Sequence, residues 1–183
     1  MAKTSREQII RQALHLFKIK GYRNTSMADI GLACGLLKGS IYSHFSSKEA
    51  LALEVMKFVH DYFSENIYSH AYDENRSISE RVSSFVDEVE RYFNTHEGGC
   101  LMGNLALEIG DTIPHFSICI QDYFDDWISA LAYLLSKQYG QEKALELAQV
   151  TVANTQGAIM LMQLYRKPEL LSQANQALVD LIS

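Results

Sequence analysis

Between Thr25 and Leu51 the chain reads T-S-M-A-D-I-G-L-A-C-G-L-L-K-G-S-I-Y-S-H-F-S-S-K-E-A-L, and its residue types suit one kind of chemistry, the holding of a polyanion. Ile41 and Phe45 stand four apart on a helical pattern from about Leu37 to Phe45, so both turn inward and leave Lys38, Ser40, Tyr42, Ser43 and His44 on the remaining surface. No carboxylate falls between Gly31 and Ser47, so that surface can approach phosphates without like-charge repulsion. Gly39 is a poor helix residue, and is expected where the first helical turn must come close to another body. Ser46 and Glu49 have capping-box spacing and put Lys48 in the first turn of the next helix, an arrangement suited to clamping phosphate. Catalytic chemistry finds no footing: there is no nucleophile-base-orienter spacing, no metal-ligand cluster and no phosphate-cradling loop, so neither an enzyme nor a cofactor or metal is expected.

The elements that must position these side chains are helical. Thr4 and Glu7 suggest a capped first helix with Ile10, Ala13, Leu14 and Phe17 on its apolar face, stopped by Gly21. Ser26 and Asp29 cap a second, which Gly35 ends. The pattern from Ser46 continues to about Tyr68 without proline or glycine, a span of roughly 30 Å. After a polar loop at residues 71–76, Ser77 and Glu80 open a helix lined by Val82, Phe85, Val86, Val89 and Phe93. Further helices are expected at about Cys100 to Ile109, His115 to Tyr139, Glu142 to Arg166 and Pro168 to Ile182. No strand pattern of convincing length is present, so the fold class is all-α: a three-helix head with a helix-turn-helix, a long connecting helix, and a C-terminal bundle.

Charge is divided along the chain. Residues 1 to 60 hold nine Lys/Arg against four Asp/Glu, a net +5 within a chain of −6, so the remainder carries −11. A basic head on an acidic body confines contact with a polyanion to the first third. No apolar run approaches the ~18 residues that span a bilayer, and no signal-type segment follows the N-terminus, so a cytoplasmic protein without membrane contact is expected. Three widely spaced cysteines, Cys34, Cys100 and Cys119, fit neither a disulfide framework nor a zinc site.

The stretch K-G-S-I-Y-S-H-F-S-S-K-E-A-L resembles the DNA-binding signature of the tetracycline-repressor (TetR/AcrR) family of bacterial regulators, with the close match covering about residues 8 to 55. Two positions depart from the family pattern: Gly31 stands where alanine is commoner, hinting at a tighter helix crossing, and Leu37 where serine or threonine usually caps the recognition helix. The resemblance implies a DNA-binding domain at residues 1–48 and a ligand-binding and dimerisation domain at 49–183. Thr25, Ser26, Tyr42, His44 and Lys48 would contact phosphates, while Lys38, Gly39, Ser40 and Ser43 would lie nearest the base edges; Tyr42 has a rival role in packing.

The resemblance further implies a homodimer through about residues 142–182, binding a palindromic duplex. There Ala153, Gly157 and Met160 or Leu161 share a face that small residues open to close approach; packing inside the monomer is the alternative. An apolar effector pocket is expected among Phe63, Tyr92, Cys100, Met102, Phe116, Tyr123, Trp127 and Met160, although such stripes are more often plain core. Cys100, at an expected helix start, is read as a small buried hydrophobe in preference to an electrophile or redox sensor of the kind found in some of these regulators. The expected function is a transcriptional repressor released from its operator by a small molecule. A helical interaction module without sequence-specific DNA binding is the alternative.

Overall fold

The computed structural model describes residues 5–109 and 112–182, and every regular element among them is helical. They fall into two compact units, the residues up to His60 with Leu101–Ile120, and Asp61–Cys100 with the residues from Gln121 on.

The first unit contains α1 (Arg6–Lys20), α2 (Met27–Ala33), α3 (Lys38–Tyr42), most of α4 (Lys48–Phe63), α7 (Leu101–Ile109) and the start of α8 (Pro114–Tyr139). The cap of α1 lies one residue beyond the expected pair: Ser5 Oγ accepts from Gln8 N at 3.2 Å and Gln8 Oε1 accepts from Ser5 N at 2.8 Å, while Thr4 lies outside the described residues. Gly21 ends α1 at φ +82°, as its position suggested. α2 has the expected box of Ser26 and Asp29. The start of α4 is also displaced: Ser47 Oγ, not that of Ser46, accepts from Ala50 N at 3.0 Å. Ile9, Phe17, Ile30, Ile41, Phe45 and Val55 are buried at the centre of this unit.

The long connecting helix does not stop at Tyr68. After α4 the chain makes a π-helical turn (Ser64–Tyr68), in which Ser69 N reaches back to Ser64 O, and resumes as α5 (Ser69–Tyr72). Asn66 Nδ2 donates to Tyr62 O at 2.8 Å and Ser69 Oγ to Glu65 O at 2.7 Å, so side chains serve carbonyls that the widened turn loosens. The wider turn keeps Phe63, Ile67, Tyr68 and Ala71 all buried.

The second unit adds α6 (Ile78–Thr95), the rest of α8, α9 (Gln141–Tyr165) and α10 (Glu169–Asp180). Ser77 and Glu80 form the expected capping box, and all five predicted apolar positions of α6 are buried. Phe63 is fully buried at the centre of an aromatic cluster, its ring 4.8 Å from Tyr92, 5.1 Å from Tyr123 and 5.6 Å from Trp127 between centroids. α10 is fastened by a polar network: Ser172 Oγ and Asn175 Nδ2 donate to the Glu90 carboxylate at 2.7 and 3.2 Å. No helix among the described residues is long and apolar enough to cross a membrane.

Candidate nucleic-acid interface

Ser26 opens the helix-turn-helix. Its Oγ accepts from Asp29 N at 3.2 Å and donates to Asp29 Oδ2 at 2.5 Å, and this last bond, with a second from Ser26 N to the same oxygen at 2.8 Å, lowers the pKa of the Asp29 carboxyl. The turn between α2 and α3 closes on Gly31, whose carbonyl accepts from Leu36 N at 2.8 Å. A Cβ on Gly31 would stand 2.9 Å from Leu36 O, a backbone atom that cannot swing aside. The departure from alanine therefore reflects a close approach of the turn's own backbone to α2, where a tighter helix crossing had been expected.

α3 is five residues long, shorter than the Leu37 to Phe45 pattern. Ser43 Oγ donates to Ser40 O at 2.7 Å just past the last residue, Tyr42, and a single further α-type bond, Phe45 N to Ile41 O at 3.0 Å, reaches beyond it. Ile41 and Phe45 are buried as expected and orient the helix. Lys38, Gly39, Tyr42 and Ser43 are exposed, and Ser40 and His44 are half-buried. Lys38 Nζ lies 5.9 Å from the Tyr42 ring centroid, and Tyr42 keeps 45% of its surface exposed, so part of the ring is open to a partner while the rest is covered. Apart from its chain neighbours and its own helix backbone, no atom of the described residues lies within 4 Å of where a Cβ on Gly39 would stand, so packing among them does not require glycine there. Leu37 occupies the N-cap without a side-chain hydrogen bond and is 82% exposed.

Two expected phosphate ligands are turned inward instead. Thr25 is buried, and its Oγ1 donates to Gly21 O at 2.8 Å, closing the bend between α1 and α2. Lys48 Nζ donates to Tyr22 O at 2.9 Å and Thr25 O at 3.0 Å and sits 4.2 Å from the Tyr22 ring centroid. Burial lowers the pKa of this ammonium. Both are internal fasteners, because the carbonyls of the α1–α2 bend are brought to them by tertiary packing. Other basic residues of the head are likewise engaged: Arg6 bonds Glu54 at 3.1 Å and lies over the Phe45 ring, and Arg11 lies over Phe58.

The residue that the sequence reading missed is Glu108. Its Oε2 accepts from Tyr22 N at 2.9 Å and its Oε1 from Arg23 N at 2.6 Å, so one carboxylate of α7 holds two successive amides of the α1–α2 bend. A Cβ on Gly21 would stand 3.1 Å from Glu108 Oε2, so Gly21 serves close approach as well as its positive φ. The Tyr22 ring packs between Phe17 and Phe116, at 5.5 and 5.3 Å. A signal existed in the sequence: Glu108 is the one charged residue of L-M-G-N-L-A-L-E-I.

The expected effector-site residues are distributed over both units. Phe63, Tyr92, Tyr123 and Trp127 come together in the second unit, and Cys100 is buried close enough to raise the Tyr92 and Tyr123 hydroxyls, after the larger effect of burial. Met102 and Phe116 are buried residues of the first unit. Met160 is a correction: it is 60% exposed on the outer face of α9, which turns Val152, Thr155, Ile159 and Met162 inward. Ala153 and Leu164 are exposed on that same outer face, and Gly157 is half-buried there.

Residues 9–55 match the family model described as bacterial regulatory proteins of the tetR family, and residues 79–177 match the C-terminal domain of LmrA/YxaF-like transcriptional regulators. The repressor DhaR of Mycobacterium sp. strain GP1 is 29% identical, over 94% of this chain and 90% of its own. The regulator LmrA of Bacillus subtilis is 27% identical, over 97% and 96%. Among solved structures, a TetR transcriptional regulator from Legionella pneumophila superposes with a TM-score of 0.86 at 24% identity, covering 97% of each chain.

Proposed function

Because the chain belongs to the TetR family of bacterial DNA-binding transcriptional regulators, with a C-terminal domain of the LmrA/YxaF type, we propose that it is a homodimeric cytoplasmic repressor, released from a palindromic operator by a small molecule. Residues 1–48 read DNA, and residues 49–183 take the effector and form the dimer. The observation that carries the DNA-reading part is the surface of α3, where Lys38, Gly39, Tyr42 and Ser43 are exposed over buried Ile41 and Phe45 with no carboxylate among them. Ser26, Ser40 and His44 complete the contact set. Dimerisation draws support from the outer face of α9, where Met160 and Leu164 are 60 and 69% exposed. Effector binding in the second unit biases DNA affinity through its preference for one of two arrangements of the bundle.

Fluorescence anisotropy of the protein on duplexes from upstream of its own coding region, across a salt series, tests the reading. Tight binding with a steep fall in salt is expected, with Lys38→Ala and Tyr42→Ala each weakening it about tenfold. Binding no tighter than to random duplexes, after selection from a genomic fragment pool, leaves the interaction-module reading in its place.

For Cys100 the packing role is preferred over sensing, since the side chain is 6% exposed at the start of α7, beside buried tyrosines. Cys100→Ser is expected to leave the response to inducers unchanged in a reporter assay. Loss of the response to thiol-reactive compounds alone would restore the sensing role.

A further inference from the structure

The carboxylate of Glu108 belongs to a helix 85 residues along the chain from Arg23, and yet it holds the bend that joins α1 to α2. Both oxygens are used, one on each of two successive amides. On the other side of the same bend the Lys48 ammonium takes the carbonyls of Tyr22 and Thr25, and the charge of Glu108 acts on it favourably. The bend is thus gripped from both polar ends of its peptide groups, by an anion on its N–H side and a cation on its C=O side. Ser26, the N-cap of α2, follows directly, so the grip sets where α2 begins and, through the Gly31 turn, where α3 points.

From this geometry we infer that Glu108 is a positioning residue for DNA recognition: without touching DNA, it fixes the helix-turn-helix in its reading orientation. The inference rests on the DNA-binding reading above. Its sign is opposite to that of simple electrostatics. Removing a carboxylate from a surface that meets phosphates ordinarily tightens binding, whereas releasing the bend weakens it. Glutamine keeps the length of Glu108, but an amide has only one acceptor oxygen and presents an NH₂ to the second backbone N–H.

The test uses the full-length protein and a duplex selected by the wild type, which must bind it for the DNA reading to stand. Glu108→Gln is expected to bind that duplex at least tenfold more weakly, at a temperature well below its thermal midpoint and with its far-UV circular dichroism unchanged. Glu49→Gln, which removes an exposed charge at the start of α4, is expected to bind equally or more tightly. Hydrogen exchange at the Tyr22 and Arg23 amides is expected to quicken in Glu108→Gln and not in Glu49→Gln. A lowered thermal midpoint with unchanged affinity of the folded protein would make the residue merely structural and overturn the inference, as would wild-type exchange at both amides. If the glutamine variant does not fold, Glu108→Asp, which keeps the charge and shortens the reach, is read by the same affinity and exchange criteria.

Discussion

Phe63→Ala is expected to lower the unfolding free energy by about 3–5 kcal/mol, the range for emptying a buried phenylalanine site that cannot collapse. The ring is fully buried and meets Tyr62, Tyr68, Tyr92, Phe93, Tyr123 and Trp127. These neighbours come from α4, the π-turn, α6 and α8, so no single side chain can swing in to fill the space. The cost adds lost transfer free energy to a cavity term, and lost edge-to-face contacts increase it. Urea denaturation followed by circular dichroism measures it. A loss under 1 kcal/mol would mean that the cluster repacks freely, and that its order is not centred on this ring.

The second large effect is expected in the head. Gly31→Ala introduces a Cβ 2.9 Å from Leu36 O, and the same peptide segment carries the Leu36 N to Gly31 O bond that closes the turn. Either the turn opens or that bond lengthens, at a cost of roughly 1–3 kcal/mol. Gly31 has no positive φ, so the effect is one of space and not of backbone conformation. Operator affinity is expected to fall along with stability, because α3 takes its direction from this turn. An alanine variant that binds the operator as tightly as the wild type, with an unchanged denaturation midpoint, would show that the turn has slack.

Local rules made much of this molecule legible. The four-residue spacing of Ile41 and Phe45 is enough to orient α3, and Ser26 with Asp29 or Ser77 with Glu80 is enough to start a helix. Where two candidates overlapped, local rules could not choose: Ser5 with Gln8 competes with Thr4 and Glu7, and Ser47 with Ser46. The inward turn of Thr25 and Lys48 was illegible for a different reason. A hydroxyl and an ammonium suit a phosphate and a backbone carbonyl equally, and only tertiary packing places Gly21 O and Tyr22 O within their reach. Met160 was misplaced because α9 has apolar residues on every side, so its sequence does not say which face is inner. Glu108 was missed because its partners are amides, which every residue but proline has, and which leave no mark in a sequence.

The grouping of α7 and the start of α8 with the first sixty residues bears on how new regulators are assembled from old ones. A transplant cut after α4 would carry the DNA-reading segment away without the anion that grips its first bend and without the Phe116 ring against Tyr22. The recipient would have to supply an acidic residue at the matching place on its own α7. Chimeras between relatives should therefore be sorted first by whether that position is acidic in the recipient, and only then by the length of the graft.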